Sequence, residues 1–406
     1  MFSIGSRDAL ALIDTLRPSD ELQRTNPKRP RLSISHEQSH CETTTSAADS
    51  ELLPAGHLSK LTVVSDQILH LRAFVKRLAR HCAAFKGADA RRSALQLTAT
   101  IVPFFGLLAA MYAAVDAAYW LTLLLAVPTA GLLVRLFIIQ HDCGHGSYFK
   151  TRFVNDVLGR FMSVFTLTPY GHWKQHHALH HATSGNLDKR GFGDIHTLTV
   201  SEYEAMPVLG RLKYRLYRNP FIMILIGAPI NFFVLQRFPI GRSLPNHSGW
   251  RSVLVLNLIL AIVFGSLVVV GGFKHVMMTY LPVSIIGAWV GGWLFFVQHQ
   301  FENTAWERTT DWDPRVAALY GSSYFELPRV LRWFTGNIGL HHIHHLCSRI
   351  PNYRLQECLD ASPELQSVSR RLTFIESFKC TRLSLWDENR RKLVRFDDRG
   401  AKPSLS

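Results

Sequence analysis

An all-α integral-membrane fold with about four transmembrane helices in two hairpins is expected from three observations. Two apolar blocks have twice the membrane length, positive charge lies outside them, and histidines gather where they end. The first block, 95–138, is too long for one span of about 20 residues, and Asp116 near its middle divides it into 95–115 and 117–138. The second, 253–298, divides at Gly271-Gly272-Phe273-Lys274. Both hairpin turns carry little charge while Lys and Arg crowd the flanks, so the positive-inside rule puts both termini and the loop 139–252 on the cytoplasmic side. Residues 220–236 are apolar but short and interrupted by Pro229, which reads as an interfacial or re-entrant segment.

The composition agrees. Hydrophobic residues make up 47% of 406, beside a net charge of +15, a pairing that makes sense only if the two are segregated along the chain. Basic proteins often bind nucleic acid, but no recognition helix, zinc-finger spacing or aromatic-basic sheet pattern appears. No nucleic-acid partner is expected; membrane lipid headgroups or an acidic redox partner suit the charge better. Cysteines 41, 82, 143, 347, 358 and 380 include no CxxC pair, which reads as reduced thiols facing a reducing compartment. The start of the chain lacks the pattern of a signal peptide. Residues 1–60, rich in Ser, Thr, Pro, Glu and His, are expected to form a disordered or weakly ordered arm. Over 62–85, Leu71, Phe74, Val75 and Leu78 share a helix face amid Arg72, Lys76, Arg77 and Arg80, as in a helix lying on a membrane or packed on protein. Residues 61–380 then form the main domain, and 381–406 a basic C-terminal tail.

Eleven of the 20 histidines fall in the windows 141–145, 172–181 and 341–345. In the first, His141 and His145 are one helical turn apart, so both rings point to one side. The second contains His177, His180 and His181, an HxxHH pattern that His341, His344 and His345 repeat in the third. One HxxxH is weak evidence, but three such boxes beside membrane-length segments are strong. Eight imidazoles exceed the four or so that one zinc takes and suit two metal ions. Imidazole favours iron, copper, zinc or nickel, and iron is the one that performs oxygen chemistry on unactivated C–H bonds. The topology brings all three boxes to one side of the bilayer, the first starting three residues after span two. His299, at the end of span four, is expected at the same depth as a ninth ligand.

The boxes HDCGH, HHALHH and HHIHH, with the stretches IIQHDCGHGSYF, VQHQFE and GNIGLHHIHHLCSRIPNYRL around them, resemble the membrane fatty acid desaturase family, in particular bacterial acyl-lipid desaturases of the Δ12/ω-6 type. The resemblance covers roughly 95–360. It implies a cytosolic helical cap holding a non-haem di-iron site, a tunnel for a lipid-linked fatty-acyl chain, and O2 as co-substrate. Electrons would come from an external, ferredoxin-like donor, since no flavin, pyridine-nucleotide or haem motif is visible. The catalytic side would be cytoplasmic, in a bacterial inner membrane rather than endoplasmic reticulum. Fatty-acyl hydroxylation is the alternative within the family, and a zinc-dependent membrane hydrolase the one outside it. Relatives acting on acyl-CoA carry an Asn four residues before the extra histidine; here that residue is Phe295, and the role is not carried over.

Other residues near the boxes read as support. His172, His176 and His342 lie off the HxxHH pattern and suit hydrogen-bonding or surface roles, Cys143 a buried filler, and Asn337 a turn or cap. His196, His247 and His275 read as loop or interfacial residues. Asp142, Asp188, Asp194 and Glu302 are the carboxylates available to fix ring tautomers. Tyr148 and Trp173 are candidates for the tunnel wall. Arg135, near the end of span two, is expected to snorkel toward headgroups.

Overall fold

The computed structural model describes residues 55–191, 194–238 and 246–398, and the chain divides into two compact units, Met1–Ala73 and Phe74–Ser406. The N-terminal arm up to residue 54, Cys41, the side chain of His247 and residues 399–406 lie outside the described residues. Helix α1 (Ala55–Ala83) takes in the helix expected at 62–85; from Phe74 onward it buries Phe74, Val75, Leu78 and Cys82.

Helix α2 (Ala90–Ala114) starts at Asp89, whose carboxylate accepts from the Arg91 and Arg92 amides, an N-cap that satisfies donors the helix cannot. Helix α3 (Tyr119–His145) returns beside it. Then come α4 (Arg152–Thr166), α5 (Tyr170–Thr183), α6 (Val200–Ala205), α7 (Val208–Tyr217) and α8 (Ala228–Phe233). The second hairpin is α9 (Asn246–Gly271) and α10 (Phe273–His299), joined at Gly272 with φ +80°. Six short helices follow: α11 (Pro314–Tyr320), α12 (Arg329–Phe334), α13 (His341–Leu346), α14 (Leu355–Asp360), α15 (Pro363–Val368) and α16 (Phe374–Cys380).

Four of these helices are long and apolar enough to cross a membrane: α2, α3, α10 and the Gly249–Gly271 part of α9. The most apolar stretch of α3 is 61% buried and that of α9 only 11%, so α3 is the central span and α9 offers most of its surface to lipid. The core around α3 joins Phe104 and Met111 of α2, Ala126, Ala130 and Leu133 of α3, Met162 of α4 and Val283 of α10.

The helix boundaries differ from the expected spans in one consequential way. The first box does not follow span two; it is the last turn of α3 itself. Seven residues beyond Ile138 carry His145 about 10 Å past the apolar run, on the same rigid rod. Arg135 also differs. It does not snorkel but is buried, its Nε donating to Thr100 Oγ1 at 3.1 Å, its Nη1 to the Trp333 carbonyl, and its guanidinium lying 4.1 Å over the Trp333 ring. The indole and carbonyl of α12 replace the headgroup water that snorkelling would have reached.

The chain bends by 70° between α7 and the stretch Ile222–Arg237, so the break lies at the start of the 220–236 segment and not at Pro229. Asn219-Pro220 accounts for the bend, because proline biases the preceding residue out of the helical region. The Asn219 side chain then caps the Phe221 and Ile222 amides.

Short strands tie the helices that carry the boxes. Strand β1 (Leu198–Thr199) runs parallel to β4 (Leu385–Asp387), which pairs antiparallel with β5 (Lys392–Val394); β2 (Tyr324–Glu326) runs parallel to β3 (Arg371–Thr373). Thus the stretch whose sequence reads as a basic tail contributes two strands, with Leu385, Trp386, Leu393 and Val394 buried. Strand β2 also receives the approach to the third box: the Phe325 amide donates to Gly339 O at 2.8 Å. A Cβ on Gly339 would lie 2.3 Å from the Phe325 carbonyl oxygen, a backbone atom that cannot swing away. Gly339→Ala is therefore expected to cost at least about 1–3 kcal/mol by overpacking and to displace His341. A lower melting temperature together with reduced metal content would show it.

Candidate metal centre

Each box is held by a different element. Box one closes α3, whose end is set by Gly146 at φ +66°, with the Ser147 amide donating to Asp142 O and the Gly146 amide to Cys143 O. That is a Schellman cap, and only residues tolerant of a left-handed backbone allow it directly after His145. Box two occupies the C-terminal half of α5, box three forms α13, and His299 is the last residue of α10.

All nine imidazoles expected at the site are brought together, in two clusters. His141, His145, His177, His181 and His344 form one; His180, His299, His341 and His345 form the other, with the ring nitrogens of each cluster within 4.8 Å of one another. His177 Nε2 lies 3.0 Å from His145 Nε2 and 3.1 Å from that of His181, which lies 3.1 Å from that of His344. In the second cluster, His299 Nε2 is 3.1 Å from His180 Nε2 and 3.0 Å from His341 Nε2. Alternation explains the sorting. In box two, His177 and His181 are one turn apart and face the first cluster, while His180 is rotated onto the second; box three divides likewise between His344 and His341 with His345.

Ring tautomers test whether these residues fit a metal. His180 Nδ1 lies 2.8 Å from Asp194 Oδ1, and His299 Nδ1 lies 3.1 Å from the Gly321 carbonyl oxygen. Ionised carboxylates and carbonyls only accept, so both Nδ1 atoms carry the proton. With Nδ1 carrying the proton, a neutral imidazole presents its lone pair at Nε2, and the two Nε2 atoms lie 3.1 Å apart. Two such lone pairs at that distance repel unless a proton or a metal ion lies between them. The donor set fits a metal ion. Burial first, and neighbouring imidazoles second, push His177, His181, His341, His344 and His345 well below the ordinary histidine pKa, which keeps their lone pairs unprotonated at neutral pH.

Of the four candidate carboxylates, two reach rings. Asp142 Oδ1 is 3.2 Å from His141 Nδ1, and Asp194 holds His180. The other two lie elsewhere: Asp188 pairs with Arg308 and the Thr309 amide, and Glu302 with Lys392. His342 donates to or accepts from Ser369 Oγ at 2.7 Å, and His172 and His176 contact each other with ring centroids 4.4 Å apart, all three outside both clusters. Trp173 stacks on His177 at 4.7 Å, while Tyr148 is buried with its hydroxyl donating to Ser93 O. Cys143 is fully buried, and the described cysteines are all free thiols. Asn337 takes the turn role, with φ +57° and its Nδ2 donating to Asn352 O. Phe295 packs its ring beside His180 and His299, giving the second cluster an apolar wall.

Three supporting groups escaped sequence reasoning. Asn352 donates its amide and Nδ2 to Asp142 Oδ2 at 2.7 and 2.8 Å, Gln96 donates to Asn352 Oδ1 at 2.7 Å, and Gly321 offers its carbonyl to His299. None belongs to a pattern, so no local signal marks them.

Comparison with known proteins agrees with this centre. A family model described as fatty acid desaturase matches residues 117–373, which hold all nine clustered histidines. The chain is 41% identical over 79% of its length, and 90% of the relative's, to a fatty acid desaturase of Bacillus subtilis. It is 26% identical to the sn-1 oleoyl-lipid 12-desaturase of Synechocystis, over 71% of this chain and 80% of that one. An sn-1 acyl-lipid omega-3 desaturase (ferredoxin) of Nostoc is also 26% identical, over 56% and 63%. With a membrane-length helical scaffold, two histidine clusters and these matches, the chain belongs to the fatty acid desaturase family.

Proposed function

We propose that this chain is an O2-dependent acyl-lipid desaturase whose nine clustered imidazoles hold two iron ions, five around one and four around the other. The observation that carries the reading is the gathering of nine ring nitrogens into two clusters, with the Nε2 atoms of His180 and His299 facing each other at 3.1 Å while each Nδ1 is held by an acceptor. Their spacing bears on the metal. The closest Nε2 pairs lie at 3.0–3.1 Å, near enough to share one ion, and imidazole donors suit iron.

Bound iron would supply the activation of O2 needed to oxidise an unactivated C–H bond. The net reaction takes an acyl CH2–CH2 unit, one O2, two electrons and two protons to a cis CH=CH unit and two waters. The chain's own contribution is placement and exclusion. Asp142, Asp194 and the Gly321 carbonyl lock ring orientation, and such partners strengthen the ligands they hold. Phe295 and Trp173 line the clusters with apolar surface, which keeps water from the reacting carbons. One CH2–CH2 unit must be held beside the irons, since a misplacement of about 1 Å costs about 10²-fold.

The acyl-lipid substrate and ferredoxin-like donor are supported by what the Synechocystis and Nostoc relatives are named for. Lys and Arg outside the apolar hairpins support a cytoplasmic catalytic side in a bacterial inner membrane. The test is expression in a host with saturated and monounsaturated lipids, followed by gas chromatography–mass spectrometry of the fatty acids. A new cis double bond at one position is expected. Hydroxylated chains as the sole product would overturn the reading.

A further inference from the structure

The proposed reaction needs two electrons from outside the chain, so the protein must offer a face where a carrier can approach the metal ions. The two clusters differ in access. In the first, His145, His177 and His181 are partly exposed, and Ala178 and Ala182 beside them on α5 are exposed. In the second, His180, His299 and His341 are buried and only His345 is partly open.

Exposed cations lie on the segments that follow the first and third boxes. The turn after box one, the loop after box three and the end of α1 pack together around Tyr353, which contacts the Tyr148 ring at 6.3 Å, receives Arg92 on its carbonyl, and precedes Arg354, whose guanidinium lies over Phe85. Each of these segments carries an exposed cation: Lys150, Arg349 and Lys86. Lys150 follows His145 by five residues and Arg349 follows His344 by five, which keeps their Cα atoms within about 18 Å of those of the two histidines. Among the described residues none of the three has an acidic partner. Arg190, Arg308 and Lys392, by contrast, are paired, with Glu202, with Asp188 and Glu388, and with Glu302.

We infer that Lys86, Lys150 and Arg349 form the docking surface for an acidic one-electron carrier protein, which delivers its electrons through the five-histidine cluster. This rests on the desaturase reading. Two reduced carriers dock in turn, each losing one electron, and the pair of electrons is used with O2 and two protons in the stoichiometry given above. Unpaired cations around an opening steer an acidic partner and raise its association rate.

The test uses the iron-loaded full chain in nanodiscs of neutral lipid, with a plant-type ferredoxin, its reductase and NADPH as donor. Lys150→Glu/Arg349→Glu is compared with Lys189→Glu/Lys379→Glu, an equal charge change elsewhere. The first pair is expected to raise KM for ferredoxin about tenfold or more at low ionic strength, to leave kcat at saturating ferredoxin near wild type, and to flatten the salt dependence. The second pair should behave as wild type. Equal effects of both pairs, no effect of the first, or an effect that appears only when anionic lipid is added would overturn the docking surface. Double-bond yield after chemical reduction with dithionite separates the two readings: a wild-type protein that yields none refutes desaturation itself.

Discussion

Purified His180→Ala protein is expected to lose the metal of the four-histidine cluster and all measurable double-bond formation, while His176→Ala keeps both. The two residues sit four apart on α5 in the same box, and both are histidines. Only His180 points its Nε2 at His299, with Nδ1 held by Asp194. His176 faces His172 instead, outside either cluster. Removing His180 also leaves the Asp194 carboxylate without its ring partner. Iron analysis of each purified variant, beside fatty-acid profiles from the expression host, distinguishes them. Loss of activity in His176→Ala but not in His180→Ala would reverse the ligand assignment of box two.

The second large effect is expected at Asp142. This carboxylate is 1% exposed and joins two elements, holding His141 through one oxygen and the amide and side chain of Asn352 through the other. Asp142→Ala strips all three contacts. Each buried donor left without an acceptor costs about 1–3 kcal/mol, and loss of a ligand's hydrogen-bond partner costs about 10–100-fold in metal affinity. A fall in melting temperature together with weaker iron retention under a chelator is the expected pair of results. Glu302→Ala removes an exposed ion pair with Lys392 and should change iron retention little, because exposed pairs contribute at most about 1 kcal/mol. Comparable iron loss in both variants would mean that Asp142 does not act through His141.

How much of this was legible beforehand follows from the range of the interactions. The boxes were readable because HxxxH and HxxHH are local, and a helix places residues i, i+3 and i+4 together regardless of what surrounds it. His299 was readable from depth alone, since it stands where span four ends. The hairpins were readable from length and charge, yet the continuation of α3 through His145 was not, because polar box residues interrupt the apolar run on which the span boundary rested. The carboxylates show the limit best. Asp142, Asp188, Asp194 and Glu302 look alike in sequence; Asp142 meets the ring of its neighbour His141, but only packing between separate segments decides that Asp194 meets His180 while Arg308 and Lys392 take the other two. Arg135 fails for the same reason. Trp333 lies 198 residues away, and nothing near Arg135 announces it.

Metal content measured by inductively coupled plasma mass spectrometry on protein purified from iron-supplemented cells tests the di-iron assignment most directly. Two irons per chain are expected, one for each histidine cluster. A single zinc with no iron would contradict it.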